Sequence, residues 1–178
     1  LRVRCMEHPA GWLSPSRVRI LNVERDLGDP IDWRPDGVTR LWTYNLHYFT
    51  DLAGRAGTAS EEWLRNVVLS WIERNPPGTP DAWDPYPTSL RVMNWIKWLA
   101  QLPAASQEGP SAPAGRRGED GAVAGDDGDS ERAWSGREPV LQSLAVQVRH
   151  LERSIEHDIS ANHLFANAAA LTMAGLFF

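Results

Sequence analysis

The sequence of 178 residues contains one cysteine, Cys5, and one lysine, Lys97, against 17 arginines. A single cysteine excludes a disulfide within the chain and a zinc site built from cysteines. The isoelectric point is about 5.5, the net charge is −5 and no basic cluster is present, which argues against a nucleic-acid partner. The sequence also lacks a glycine-rich phosphate loop, an HExxH motif and a GxSxG motif.

No apolar run reaches the roughly 20 residues that a membrane-spanning helix needs. The most apolar segment covers residues 164–178, contains Asn167 and ends on Leu-Phe-Phe. A buried core helix is favoured there over a tail anchor, so no membrane partner is expected. Because nothing follows this apolar end to cover it, and because the chain starts at Leu1 without a recognisable signal peptide, we expect a fragment of a longer protein.

Tryptophan, in contrast, is abundant, with nine residues in the chain. A composition of 42% hydrophobic and 23% charged residues excludes disorder throughout, and the length corresponds to one domain or part of one. So many indole rings indicate either a large aromatic core or a cleft that stacks on flat ligands such as sugar rings.

Apolar spacing predicts four helices and no strand-rich region. These helices cover residues 58–74, about 88–102, about 138–157, and from Ala161 to the end of the chain. Thr58 and Glu61 have the spacing of a capping box at the first helix. A loop rich in proline and aromatic residues, 79–87, precedes the second helix.

Short connections between successive helices predict antiparallel helical hairpins and an all-α fold. Residues 104–137 contain too few apolar side chains to offset their chain entropy, which predicts a disordered low-complexity insertion. The chain therefore divides into a lead-in segment, 1–57, which carries an aromatic motif, and a helical region, 58–178.

Three clusters combine aromatic and polar side chains, in residues 42–48, 83–95 and 156–164. In the second cluster Arg91 and Asn94 share a helix face, where they can bind a carboxylate and hydroxyls while rings stack on a sugar. The alternatives are aromatic core packing for the first cluster, and pairing of Arg91 with Asp84 for the second.

The third cluster places Asn162 and His163 in the first turn of the last helix. Backbone N–H groups there favour anions, an asparagine donates hydrogen bonds without charge, and a histidine can transfer a proton near neutral pH. The alternative is that Asn162 caps the helix and His163 packs on the preceding loop. The histidines show no recognised metal spacing, and we expect neither a metal nor another cofactor.

Three stretches together, LWTYNLHYFTDL, AWDPYPTSLRVMNWIKWL and IEHDISANHLFANAAALTMAGLFF, resemble the N-terminal part of heparinase II/III-like polysaccharide lyases. The opening RILNVERDLGDPIDW is similar to the lead-in segment of that family. The resemblance covers nearly the whole chain outside the insertion. It implies a partial α/α toroid of helical hairpins, and β-elimination of uronic-acid polysaccharides as the activity.

In β-elimination, a neutral donor bound to the uronate carboxylate stabilises the charge that develops when the C5 proton leaves. A base removes that proton, and an acid protonates the departing glycosidic oxygen. By resemblance, Asn162 matches the carboxylate-neutralising asparagine, and His163 occupies the adjacent catalytic position. The same resemblance makes Trp42 a cleft candidate and predicts seven substrate-binding residues: Tyr44, Asn45, His47, Trp83, Tyr86, Arg91 and Asn94.

The family's catalytic tyrosine lies downstream of the Asn-His pair, and none of Tyr44, Tyr48 and Tyr86 matches its position. The chain is therefore expected to be inactive alone, with the rest of the toroid and a C-terminal β-sandwich in the parent protein. The resemblance implies a periplasmic or extracellular location. Two other hypotheses stay open: a non-catalytic module that binds acidic glycans, and a helical scaffold whose tryptophans all pack in the core.

Overall fold

The computed structural model describes residues 11–55, 58, 60–102, 137–156 and 162–178. The predicted insertion lies outside these residues except for Arg137, which is the first residue of a helix. The predicted helix start at Ala161 also lies outside them.

The chain contains a three-stranded antiparallel sheet, so the prediction of an all-α fold is wrong. Its strands are β1 (Gly11–Trp12), β2 (Arg17–Ile20) and β3 (Val23–Asp26), in the order β1-β2-β3. Two to four residues are too few for an alternating apolar pattern to stand out in the sequence. The β2–β3 hairpin also turns at Leu21 and Asn22, both with positive φ, where glycine is the usual signal.

Five helices accompany the sheet in the described residues. They are α1 (Arg40–Leu46), α2 (Glu61–Arg74), α3 (Pro85–Leu99), α4 (Arg137–Arg153) and α5 (Asn162–Phe177), with a 3₁₀ turn at Ala53–Arg55. The aromatic motif of the lead-in segment forms α1. Its N-cap is Thr39, whose hydroxyl accepts the Trp42 backbone N–H at 3.2 Å.

The starts of α2 and α3 differ from the predictions. The predicted capping box does not form, because the Thr58 hydroxyl donates to the Arg55 carbonyl and α2 begins after Ser60. Helix α3 begins at Pro85, inside the predicted loop, since proline is compatible with the first helical position. Asp84 is its N-cap residue but makes no capping bond, and its carboxylate instead accepts hydrogen bonds from Arg40 and Tyr44 of α1.

Helix α3 is central to the packing of the described residues. Helix α4 runs antiparallel to α3, because Trp83, just before α3, contacts His150, and Arg91 contacts the earlier residue Gln147. Tyr86 contacts His163 and Ser89 contacts Asn167, so α3 and α5 run parallel, with their N-terminal turns side by side. Among the described residues, no helix combines the length and apolar character that crossing a membrane requires.

Seven of the nine tryptophans are buried in one aromatic core between the sheet and the helices. They are Trp12, Trp33, Trp42, Trp71, Trp83, Trp95 and Trp98. Edge-to-face, tilted and stacked ring pairs, some through Phe49, connect Trp12, Trp33, Trp71, Trp83 and Trp95. Most of the tryptophan content is thus used in packing.

Candidate functional site

Six of the nine predicted site residues fall into two groups with different burial. His47, Trp83 and Arg91 lie in the core, where they form what we call the Arg91 network together with Trp71 and Gln147. Tyr86, Asn162 and His163 lie at the surface, where the N-terminal turns of α3 and α5 meet. With Glu156 they form what we call the α3–α5 surface, and the buried ring of Tyr48 packs against Tyr86.

Arg91 is fully buried at the centre of the Arg91 network. Its Nε donates to the Gln147 side-chain oxygen at 2.7 Å, and its Nη1 donates to the Ala82 carbonyl at 2.8 Å. The guanidinium carbon lies 3.9 Å from the centre of the Trp71 ring. Carbonyl dipoles and an aromatic face thus stabilise the cation. Asp84, the partner of Arg91 in the alternative interpretation, binds Tyr44 and Arg40 instead.

His47 is a buried acceptor in the same network. Its Nδ1 accepts the Trp71 indole N–H at 3.0 Å, so the neutral ring carries its proton on Nε2, which is buried without a hydrogen-bond partner. Burial first, and the positive charge of Arg91 second, lower the pKa of His47 to about 3. The imidazole is therefore neutral at physiological pH, and its environment is that of a packing residue.

Trp83 completes the Arg91 network from the loop that precedes α3. Its indole N–H donates to the Asn75 carbonyl at 2.8 Å, and its ring stacks on Trp71 with centroids 6.1 Å apart. His150 of α4 lies edge-on against Trp83, with Nε2 2.8 Å from the Trp83 carbonyl. The indole is 4% exposed, too little to offer a face to a ligand in this conformation.

The α3–α5 surface is organised around His163. The Tyr86 ring stacks on the imidazole with centroids 4.3 Å apart and an angle of 23° between the planes. The His163 Nδ1 lies 2.9 Å from a carboxylate oxygen of Glu156, so the ring is held from its face and from its edge. In the neutral ring that donates Nδ1–H to Glu156, Nε2 carries the lone pair and can accept a proton.

Tyr48 borders the same surface, edge-to-face with Tyr86 at 5.9 Å. Burial, and then the proximity of Tyr86, raise the pKa of Tyr48 to about 12. The predicted residue Asn94 acts on Tyr48 through the backbone, because its Nδ2 donates to the Tyr48 carbonyl at 2.9 Å. Asn94 thus fixes the segment that carries the buried Tyr48 ring, which packs against Tyr86.

Asn167 connects the elements beneath the α3–α5 surface. Its buried side-chain oxygen accepts the Glu156 backbone N–H at 3.0 Å, and its Nδ2 donates to the Ser89 hydroxyl at 2.9 Å. One amide therefore fixes the segment before α5 to helix α3. This places the Glu156 carboxylate beside His163.

Tyr44 and Asn45 of α1 lie apart from both groups. The Tyr44 hydroxyl donates to the Asp84 carboxylate, to which Arg40 also donates, at 2.7 Å. Burial and Asp84 raise the pKa of Tyr44 well above its usual value. Asn45 donates to the Leu41 carbonyl at 2.8 Å and lines a pocket against the sheet. The structure thus does not gather the seven predicted binding residues at one surface.

Sequence reasoning missed Glu156, Tyr48 and Asn167 as parts of the candidate site. Asn167 follows His163 by four residues, so their shared helix face was a usable signal. Glu156 lies outside α5, so helical periodicity gives no signal for its contact with His163. No group of three or more histidine, cysteine, aspartate or glutamate side chains in the described part of the chain could hold a metal ion.

No family model matches the chain, and comparison with the curated proteins and with the solved structures gives no match either. The resemblance to heparinase II/III-like lyases therefore stays a prediction from the three sequence motifs.

Proposed function

We propose that the α3–α5 surface binds a uronate residue of an acidic polysaccharide and supplies two groups for its β-elimination. The observation that carries this proposal is the arrangement of His163, which is stacked on Tyr86 and oriented by Glu156 next to the exposed Asn162. An aromatic ring, a fixed proton acceptor and an uncharged amide donor are the groups that this chemistry uses.

Asn162 is the carboxylate ligand in this proposal. As the first residue of α5 it lies among the free backbone N–H groups of a 16-residue helix. Its amide donates to the uronate carboxylate, and this bond strengthens as negative charge moves from C5 towards that carboxylate.

His163 is the base in this proposal. Its Nε2 takes the C5 proton, the electron pair left on C5 forms the C4–C5 double bond, and the bond from C4 to the glycosidic oxygen breaks. Glu156 holds Nδ1–H and stabilises the imidazolium that forms. A proton donor for the departing oxygen completes the reaction, and the family resemblance assigns that role to a tyrosine that has no counterpart among the three in this sequence.

A second function, binding of acidic glycans without cleavage, is favoured by the burial of Arg91, His47 and Trp83. These three predicted cleft residues are at most 4% exposed and are engaged in core contacts. The α3–α5 surface still has groups that can bind one uronate residue. Because Arg91, His47 and Trp83 are buried, fewer side chains remain to contact the rest of a polysaccharide.

Two assays on the same samples test both functions. The first follows the ultraviolet absorbance of unsaturated uronates during incubation with heparan sulfate, alginate and hyaluronan, and we expect no increase for this chain alone. The second is calorimetric titration with oligosaccharides of the same three polymers. We expect Asn162→Ala to weaken binding about tenfold, which corresponds to about 1.4 kcal/mol.

Asn66→Ala is the matched control, since Asn66 is an exposed asparagine on α2. It should leave binding unchanged. Binding without cleavage that depends on Asn162 supports the surface as a uronate site. Absence of binding to all three acidic glycans, or equal binding by the Asn162→Ala variant, contradicts the proposal.

A further inference from the structure

Phe165 is a large apolar side chain that projects into solvent beside the α3–α5 surface. It is the fourth residue of α5, three residues after Asn162, and it is 77% exposed. Helix α5 packs on the core through Asn167 and three alanines, whose side chains are all small. The phenyl ring therefore contributes little to the fold, and its exposure to water costs free energy.

The geometry of the helix places Phe165 relative to the other groups of the surface. Successive residues of an α-helix are about 100° apart around its axis. His163 faces α3, because its ring stacks on Tyr86. Asn162 lies about 100° from His163, and Phe165 lies about 60° beyond Asn162 in the same direction. The three side chains thus follow one another around the start of α5, with the exposed Asn162 in the middle.

The spacing of these side chains suits two adjacent sugar residues. Asn162 and Phe165 are about 4.5 Å apart along the axis, and side chains at this spacing are neighbours on a helix surface. A uronate whose carboxylate is bound by Asn162 has Tyr86 on one side and Phe165 on the other. The adjoining sugar residue of the same polysaccharide is then the group that lies over the phenyl ring.

Phe165 is separated from the other large exposed apolar side chains of α5. Leu176 is 85% exposed and lies about 16 Å further along the axis, next to the exposed Phe178. The exposed residues between them on the same side are Ala168 and Thr172, which are small, and the Thr172 hydroxyl donates to the Ala168 carbonyl at 2.8 Å. Phe165 is therefore an aromatic spot beside Asn162 rather than the edge of the apolar end of the helix.

We infer that Phe165 is a platform for the sugar residue next to the uronate, and that it selects a sugar with an apolar C–H face. A pyranose with equatorial hydroxyls presents its axial C–H groups on its faces, and a phenyl ring, which has no polar atom, matches such a face. The two sugars of hyaluronan have this form, whereas the guluronate of alginate carries axial hydroxyls that interrupt it. The inference rests on the proposed uronate site and adds the class of sugar that adjoins it.

The test is an NMR titration of the ¹⁵N-labelled chain with methyl glucuronide, a hyaluronan tetrasaccharide and a guluronate tetrasaccharide. We expect Phe165→Ala to weaken binding of the hyaluronan tetrasaccharide about fivefold, because one ring contact is lost. The same variant should change the affinity for the other two ligands by less than about twofold, since neither places an apolar face on the ring. Phe165→Tyr keeps the ring and should bind all three ligands like the wild type.

Leu176→Ala is the matched control, because it removes a similarly exposed apolar side chain from the far end of α5. It should leave all three affinities unchanged. Two results overturn the inference: hyaluronan affinity that Phe165→Ala leaves unchanged, or equal weakening for all three ligands. If Asn162→Ala still weakens binding in that case, the proposed function stays intact. Absence of binding by the wild type, or equal binding by the Asn162→Ala variant, contradicts the proposed function and the inference with it.

Discussion

The Arg91 network and the α3–α5 surface are built from the same kinds of side chain, yet they differ in what their polar atoms contact. In the Arg91 network the guanidinium donates to protein carbonyl and side-chain oxygens, and Trp71 covers its face. At the α3–α5 surface Glu156 and Tyr86 fix His163, while Asn162 remains exposed. An arginine or a histidine next to tryptophan is therefore not evidence of a binding site until its partners are known.

The largest expected effect is on the free energy of unfolding, and it comes from a substitution in the Arg91 network. Arg91→Lys keeps the charge but loses the planar fork of donors and the stacking on Trp71, which leaves buried carbonyls without partners. We expect a loss of about 3 to 5 kcal/mol in the free energy of unfolding, measured by urea denaturation. Arg40→Lys, at a pair of exposed salt bridges, is the control and should leave the midpoint unchanged. A loss at Arg91 below about 1 kcal/mol contradicts the structural role.

Acidification should destabilise the chain through His47. The folded-state pKa of about 3 lies below the ordinary value of 6.5, so the unfolded chain binds the proton first. The contribution of His47 to the free energy of unfolding is fully present above pH 6.5 and is lost as the pH falls towards 3. At pH 4.5 the loss amounts to about 3 kcal/mol.

Urea denaturation at pH 7 and pH 4.5 measures this loss. His47→Gln retains an acceptor for the Trp71 indole and cannot titrate, so its stability should change less between the two pH values. An equal change in wild type and variant would show that His47 does not carry the acid sensitivity.

Asn167 lies between the two regions and should affect both stability and binding. Asn167→Leu removes the bonds to Ser89 and to the Glu156 backbone and leaves polar groups without partners. We expect a loss of about 2 kcal/mol in stability and weaker binding of uronate oligosaccharides, because Glu156 no longer orients His163. Asn66→Leu on the exposed face of α2 is the control. Unchanged glycan affinity in a folded Asn167→Leu variant would show that binding does not depend on the orientation of His163 by Glu156.

The smallest expected effect is a loss of glycan affinity that is confined to the α3–α5 surface. Tyr86→Ala removes the ring that stacks on His163, and we expect about a tenfold loss of affinity for uronate oligosaccharides in calorimetric titration. Tyr86→Phe keeps the stacking and should retain affinity to within about twofold. If Tyr86→Phe weakens binding as much as Tyr86→Ala, the hydroxyl rather than the ring face is the important group.

The sequence allowed the long helices to be predicted better than the sheet. Apolar residues repeat along α2 and α4 for several turns, so Trp63, Val67 and Trp71 already indicate a helix. Strands of two to four residues and the seven-residue α1 give no comparable repeat. The start of α3 at Pro85 could not be predicted from the sequence, because a proline is as compatible with a first helical turn as with a loop.

The candidate site was predictable only in part. The motif around Asn162 and His163 lies at the surface that the structure assembles, and Tyr86 is beside it. The burial of Arg91 was not predictable, because arginine is mostly exposed and its Gln147 partner is 56 residues away. The contact between Glu156 and His163 was not predictable, because their spacing of seven residues crosses from the end of one helix to the start of the next.

We propose that uronate binds at the α3–α5 surface and leaves the Arg91 network unchanged. The most direct test is an NMR titration of the full chain with a uronate oligosaccharide, following the imidazole signals of His163 and His47 and the indole signals of Trp71 and Trp83. We expect the signals of His163 to shift and those of the three buried rings to stay unchanged. Shifts at Trp71, Trp83 or His47 without a shift at His163 would contradict it.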